Sequence, residues 1–224
     1  MKNIENALVI LAGGNGSRFG KKIPKQFNQI NGENLIHFFL KRIDTNNFNK
    51  IVIVCKISYF KFFKKFEYDF PSVEFIYTKA GKDRQTSSYN ALKCLKIFNP
   101  NNVLIHDAAR PFCSNNLIKK ILKNLKKNSS AIPYIVNSDK KMILKKDFNQ
   151  NIKLIQTPQG FKFQTIFKAH KNALIKNARD DSSLITEEKI NFVKGEKFNY
   201  KITYADDLHY FKLFLKPIFK SGIG

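Results

Sequence analysis

The sequence predicts an α/β fold built on a doubly wound, mostly parallel sheet. Three observations predict it. Short, β-branched apolar runs alternate with longer segments that carry apolar residues at helical spacing. The first run opens into a glycine-rich loop, and a later one ends on an aspartate, the two places where such sheets hold ligands. With 224 residues, 43 % of them hydrophobic and 22 of them Phe, the chain can fill one sizeable core.

In order along the chain, Asn6 to Leu11 reads as a short buried strand, followed by a loop from Ala12 to Gly20. Leu35 to Ile43 has helical spacing, and Ile51-Val52-Ile53-Val54-Cys55 is a β-branched run bounded by charges. Val73 to Tyr77 reads as a strand and Gln85 to Phe98 as a helix. Val103-Leu104-Ile105 is a buried strand that ends at His106-Asp107. Leu117, Ile118, Ile121, Leu122 and Leu125 give one apolar side to a helix over Asn115 to Lys127, and Ala131 to Val136 is strand-like. The lysine-rich stretch Asn137 to Asn151, with Met142-Ile143-Leu144 inside it, breaks the alternation and reads as an excursion from the sheet. A strand near Ile152 to Gln156 and helices over Phe163 to Ile175 and Ser182 to Glu188 follow. Strands at Asn191 to Val193 and Asn199 to Thr203 precede a final helix, Ala205 to Leu215, whose N-terminus Asp206 and Asp207 suit. No repeat or low-complexity linker interrupts this order, so the reading is one domain.

Composition excludes several classes. Forty basic against seventeen acidic residues give a net charge of +23. Yet 35 of the forty are Lys and five are Arg, with no basic block longer than two residues. That is the surface an AT-rich genome writes, and neither a zinc finger nor an RNA-binding aromatic motif accompanies it, so no nucleic-acid partner is expected. No apolar run approaches the ~20 residues of a membrane helix, and the N-terminus lacks the features of a signal peptide. Three scattered cysteines, Cys55, Cys94 and Cys113, indicate neither a disulfide framework nor a zinc site. A cytoplasmic protein is the expectation.

Leu11-Ala12-Gly13-Gly14-Asn15-Gly16-Ser17-Arg18-Phe19-Gly20, followed by Pro24-Lys25-Gln26, is the strongest local signal. Glycines after a buried strand let backbone N–H groups approach an anion, and Arg18 and Lys25 tilt the loop toward phosphate. A tight strand-to-helix turn is the plainer alternative. The P-loop pattern fails because Asn15 stands where its first glycine belongs, and the dinucleotide pattern fails at Phe19. The spacing of Tyr89 and Lys93 is common on amphipathic helices and does not support nicotinamide chemistry.

The second signal is His106-Asp107-Ala108-Ala109-Arg110-Pro111. Asp107 lies at the carboxyl edge of the sheet, beside small residues that leave room for a ligand. One carboxylate next to a phosphate site suits Mg²⁺, which keeps several waters and takes one or two carboxylates plus phosphate oxygens. The alternative makes Asp107 a helix cap or the ion-pair partner of Arg110. His106 reads as a packed histidine rather than a catalyst.

These motifs occur in order with Gly81-Lys82-Asp83-Arg84-Gln85-Thr86-Ser87, Gln156-Thr157-Pro158-Gln159 and Lys201-Ile202-Thr203. The series resembles the cytidylyltransferases that act on 2-C-methyl-D-erythritol 4-phosphate in non-mevalonate isoprenoid synthesis. It covers nearly the whole chain, as a domain over residues 1–219, and the same fold includes the ribitol 5-phosphate cytidylyltransferases. The resemblance implies a nucleotide-diphospho-sugar transferase-like sheet with CTP and a divalent cation, Mg²⁺ or another, in its cleft. Ala12, Gly13, Gly14, Asn15 and Gly16 would hold the triphosphate with Arg18 and Lys25. Gly81, Lys82 and Ser87 would read the cytosine, Ala108 would approach the ribose and Asp107 would hold the metal. Lys201 would meet the α-phosphate, making Arg18, Lys25 and Lys201 the catalytic cations. Arg110, Ser138 and Thr157 would face the acceptor. The excursion at 137–151 would be an arm that crosses to a second subunit, implying a homodimer.

The acceptor end departs from the family pattern. Its arginine, some eight residues before Thr-Pro-Gln, is missing from Asp147-Phe148-Asn149-Gln150, and only Lys145 and Lys146 are near. The arm's Asp-Thr reads Asn137-Ser138, and Arg179-Asp180-Asp181 stands where relatives have Thr-Asp. The final residues, Lys220-Ser221-Gly222-Ile223-Gly224, resemble the opening of the 2-C-methyl-D-erythritol 2,4-cyclodiphosphate synthase. The expectation is the cytidylyltransferase half of a fusion, with 220–224 beginning a second domain; the plainer alternative is a disordered glycine-containing tail. The rival readings are ribitol 5-phosphate cytidylylation and a basic nucleotide- or nucleic-acid-binding module without turnover.

Overall fold

The computed structural model describes residues 5–14, 28–30, 32–136, 152–186 and 188–211. Its strands are β1 (Asn6–Leu11), β2 (Gln29–Ile30), β3 (Glu33–Asn34), β4 (Lys50–Cys55) and β5 (Glu74–Lys79), then β6 (Asn102–Asp107), β7 (Ser130–Val136), β8 (Lys153–Ile155), β9 (Gln159–Lys162) and β10 (Phe192–Lys194). The helices are α1 (Leu35–Arg42), α2 (Phe60–Lys64), α3 (Arg84–Leu95), α4 (Asn115–Leu125) and α5 (Phe163–Lys171), and residues 205–211 are helical.

The main sheet runs β10-β7-β9-β6-β1-β4-β5, with β8 paired to β7. The pairs β1–β4, β1–β6, β4–β5 and β7–β10 are parallel, whereas β9 runs antiparallel to β6 and β7. Strands buried on both faces read as continuous apolar runs, and alternate residues go to opposite cores. Leu8, Ile10, Ile51, Ile53 and Leu104 pack with α1, α2 and α4. Ala7, Val9, Val52, Val54, Val103 and Ile105 pack with α3 and α5. This doubly wound, mostly parallel architecture agrees with the sequence expectation.

Several elements differ from it, among them β2, β3 and α2, which the sequence pattern did not mark. Ser182 to Glu188 was expected to be a helix, but only a single 3₁₀ turn, Ser182–Leu184, forms within it. Asp180 Oδ1 accepts from Ser183 N at 3.1 Å and from Ser182 Oγ at 2.5 Å, closing a short turn, while Asp181 is drawn inward. Residues 199–203 are irregular rather than a strand, because their groups bond to three other segments instead of to one neighbour. β9 was not anticipated: Gln159-Gly160-Phe161-Lys162 has one large apolar residue and no alternation. Gly160 is required there, since a Cβ would meet Ile121 Cγ2 of α4 at 2.3 Å. The arm at 137–151 and the tail at 220–224 lie outside the described residues.

Candidate active site

The parallel strands β1, β4, β5 and β6 finish at one edge, and a cleft of about 1070 Å³ opens there. Its walls include Ala12, Gly13, Gly14, Gly81, Lys82, Ser87, Asp107, Ala108 and Lys201, nine of the residues expected at the site. The sheet brings the first loop and the Gly81 segment together physically. A Cβ on Gly13 would stand 2.2 Å from the Ala80 Cβ, so only glycine permits that approach. Ala80 N donates to Cys55 O at 2.9 Å and Ala12 N to Val54 O at 2.8 Å, fixing both loops on β4.

The Gly81 loop is shaped by the start of α3. Asp83 caps that helix, accepting from Thr86 N at 2.6 Å, which lowers its carboxyl below the ordinary value. Ser87 Oγ accepts from Gly81 N at 3.0 Å and donates to Asp83 O at 2.7 Å. Ser87 therefore holds the loop that lines the cleft as well as lining it.

Asp107 is the centre of the charge arrangement. It ends β6, is 8 % exposed, and accepts from Lys201 Nζ at 2.6 Å and Arg84 Nε at 3.2 Å. Burial by itself would raise its carboxyl, but Arg84, Lys201 and Arg110 outweigh that and hold it well below the usual range. Arg84, the first residue of α3, is shared: its NH1 donates to Asp181 Oδ2 at 2.7 Å. Asp181 is itself buried and accepts from His170 Nε2 at 3.0 Å. One guanidinium thus bridges a cleft carboxylate and a buried one.

Lys201 reaches Asp107 because its loop is pinned on both sides. Asn199 Nδ2 donates to Thr157 O at 2.8 Å, and Ile202 N donates to Ala109 O at 2.8 Å with the Ile202 side chain fully buried. Gln156 Nε2 donates to Glu196 O at 2.7 Å, and Arg110 NH1 donates to Asn199 O at 2.6 Å.

The profile of the IspD family, 2-C-methyl-D-erythritol 4-phosphate cytidylyltransferase, matches residues 6–216. The chain belongs to that family. A bifunctional enzyme IspD/IspF of Pelagibacter ubique (strain HTCC1062) is 38 % identical over 99 % of this chain, which spans 59 % of that relative's length. A 2-C-methyl-D-erythritol 4-phosphate cytidylyltransferase of Thermosipho africanus (strain TCF52B) is 35 % identical, with 90 % of this chain and 94 % of the relative covered. Among solved structures, the 4-diphosphocytidyl-2C-methyl-D-erythritol synthase of Anaerococcus prevotii DSM 20548 superposes with a TM-score of 0.80 at 25 % identity, over 95 % of this chain and 96 % of that one. The bifunctional IspDF of Campylobacter jejuni gives 0.77 at 32 % identity, over 92 % and 53 %.

Of the residues expected at the site, Asp107 and Lys201 are in direct contact, at 2.6 Å. Asn15, Gly16, Arg18, Lys25 and Ser138 lie outside the described residues. Arg110 and Thr157 are not among the cleft's lining residues. Arg110 donates to the carbonyls of Asn199 and Ile155, at 2.6 and 3.4 Å, and holds the Lys201 loop rather than opening to the acceptor. Thr157 Oγ1 accepts from Asp107 N at 3.0 Å and lies 3.3 Å from His106 Nδ1. His106 Nε2 donates to Arg110 O at 3.0 Å, which puts a proton on Nε2, and burial lowers the imidazole and favours its neutral form, as in a packed histidine.

Sequence reasoning gave no site role to Lys56, Asp83, Arg84 or Arg179, although Asp83 and Arg84 lie in a quoted motif, Arg179 marks a departure from the family pattern, and all four line the cleft. Arginine's rarity in this lysine-rich chain was a usable signal for Arg84. For Asp181, Gln156 and Asn199 no pattern indicated their partners, because those lie 40 or more residues away.

Proposed function

We propose that the chain transfers CMP from CTP to 2-C-methyl-D-erythritol 4-phosphate and releases pyrophosphate, as a cytoplasmic enzyme of isoprenoid precursor synthesis. The observation that carries the reading is Asp107, ionised between Arg84 and Lys201 at the carboxyl edge of β6 and facing the glycine loop. An oxygen of the acceptor phosphate attacks the α-phosphorus, that P–O bond forms, and the bond to the β-phosphate breaks as pyrophosphate leaves. The nucleophile is already an anion, so no side chain has to remove a proton. The obstacle is repulsion between anions and the charge that builds on the transferred group. Lys56, Lys82, Arg84, Arg179 and Lys201 on the cleft wall answer it, against Asp83 and Asp107.

The donor set suits a divalent cation brought by the nucleotide. No group of three or more potential ligands occurs among the described residues, so Asp107 would act as a single protein carboxylate, the arrangement Mg²⁺ takes with phosphate oxygens and water. Bound there, the ion supplies neutralising charge to the triphosphate. Arg18 and Lys25, which follow β1 in the family's motif, would complete the set of cations. A homodimer through the 137–151 arm fits the exposed Val136, Ile152 and Leu154, which flank its ends. The two IspD/IspF relatives support the further reading that a cyclodiphosphate synthase domain follows in the gene.

Pyrophosphate release from CTP, with the methylerythritol and ribitol phosphates offered separately, tests the reaction. Release with the first acceptor supports the reading, release only with the second moves it to ribitol phosphate, and none with either leaves a binding module. Lys201→Ala should lower kcat by roughly 10²-fold, the scale for one lost charge-stabilising group. Unchanged turnover in that variant would remove Lys201 from the mechanism.

A further inference from the structure

Arg179 is exposed, lines the cleft, and has no ion pair or hydrogen bond among the described residues. That is unexpected for an arginine followed directly by two aspartates. Both acids are engaged elsewhere. Asp180 accepts from Ser182 Oγ and Ser183 N, and Asp181 accepts from Arg84 and His170. The backbone beside Arg179 is also fixed. Ala178 is buried and its N donates to Gln85 Oε1 at 2.9 Å, while Asp181 N donates to Gln159 Oε1 at 3.0 Å. Anchors on both sides hold a cation at the cleft wall that no other side chain among the described residues neutralises.

Its place in the sheet indicates which anion it meets. The glycine loop and the Gly81 segment follow β1 and β5, on one side of Asp107. Arg179 is tethered through Ala178 to Gln85 of α3 and through Asp181 to Gln159 of β9, which adjoins β6 on the side away from β1, so it stands across the cleft mouth between those loops and the β9 side. On the transferase reading, the glycine loop and the Gly81 segment take the nucleotide, which leaves the β9 side of Asp107 for the phosphate dianion of the second substrate. A guanidinium can hold two of its oxygens in a fork and leave the third free to attack, which a lysine cannot do with equal definition.

We propose that Arg179 binds the phosphate of the acceptor, a cation supplied by the same chain that carries Asp107 and Lys201. The proposal rests on the transferase reading above. The test is steady-state pyrophosphate release by Arg179→Ala and Arg179→Lys, varying CTP and methylerythritol phosphate in turn. The expected result is a rise of about tenfold or more in KM for the acceptor in Arg179→Ala, with KM for CTP within twofold. Arg179→Lys should recover only part of the loss. A thermal shift by CTP alone, equal in variant and parent, shows that the variant is folded and takes the nucleotide. An unchanged acceptor KM, or a CTP KM that rises in step with it, overturns the assignment. Failure of the parent protein to release pyrophosphate with any alditol phosphate is a separate outcome, and it removes the transferase reading and this proposal together.

Discussion

At the scale of single residues, the site depends on a few buried groups whose protonation is set by their neighbours. Asp107 stays ionised because two cations touch it, and Arg84 is held between Asp107 and Asp181. Behind them His106 is fully buried, stacked on Phe39 at 4.3 Å. Burial, only partly opposed by the Asp107 charge and the hydrogen bond to the Arg110 carbonyl, pushes its imidazole down to about 4. An unfolded chain takes up that proton near pH 6.5, so between the two values the unfolded state binds more protons. Stability is therefore complete above pH 6.5 and declines as pH falls, by on the order of 2 kcal/mol at pH 5 from this group alone. Urea unfolding at pH 7.5 and 5 should show a smaller pH difference in His106→Gln than in the parent. Equal differences would show that His106 does not carry the effect.

At the scale of elements, most strands were legible because each is a short apolar run between charged or small residues. Asn6 to Leu11 matches β1, and Ile51 to Cys55 matches β4 within one residue. What pattern could not give were β9, whose pairing comes from the strands on either side, and the 3₁₀ turn at Ser182, which side-chain bonds of Asp180 define. The loop after β5 was recognisable by its residues but not by its geometry. There an added Cβ on Gly81 would stand 2.5 Å from Thr86 Cβ and 2.8 Å from the Thr86 carbonyl carbon. Gly81→Ala should cost about 1–3 kcal/mol in denaturant unfolding and raise KM for CTP as the loop shifts. Gly14→Ala, with nothing within 4 Å of its Cβ, should change stability by less than about 0.5 kcal/mol. Equal losses in both variants would contradict this account.

At the scale of the molecule, the cleft joins residues from Leu11 to Lys201, so a ligand that spans it stabilises the native fold as a unit. CTP at a hundred times its Kd should add about 2.7 kcal/mol to unfolding, seen as a raised Tm. Lys201→Ala should need more CTP for the same shift, and no shift in the parent would argue against this cleft as the nucleotide site. The charge of +23 does not concentrate in basic runs, so the functional cations are set apart by position rather than by number.

The sequence by itself determined the fold class, the two loops at the sheet edge and the family, because apolar alternation and short motifs are local properties. Only the tertiary structure decided which side chains work together. Arg84 meets Asp107 across 23 residues, Lys201 meets it across 94, and Arg84 meets Asp181 across 97. Arg110, whose motif pointed to the substrate, bonds to the Lys201 loop, and Arg179 stands in the cleft without an ion pair among the described residues. Coulombic pairing depends on distance in space, and chain order does not encode that distance until the sheet has brought the segments to one edge.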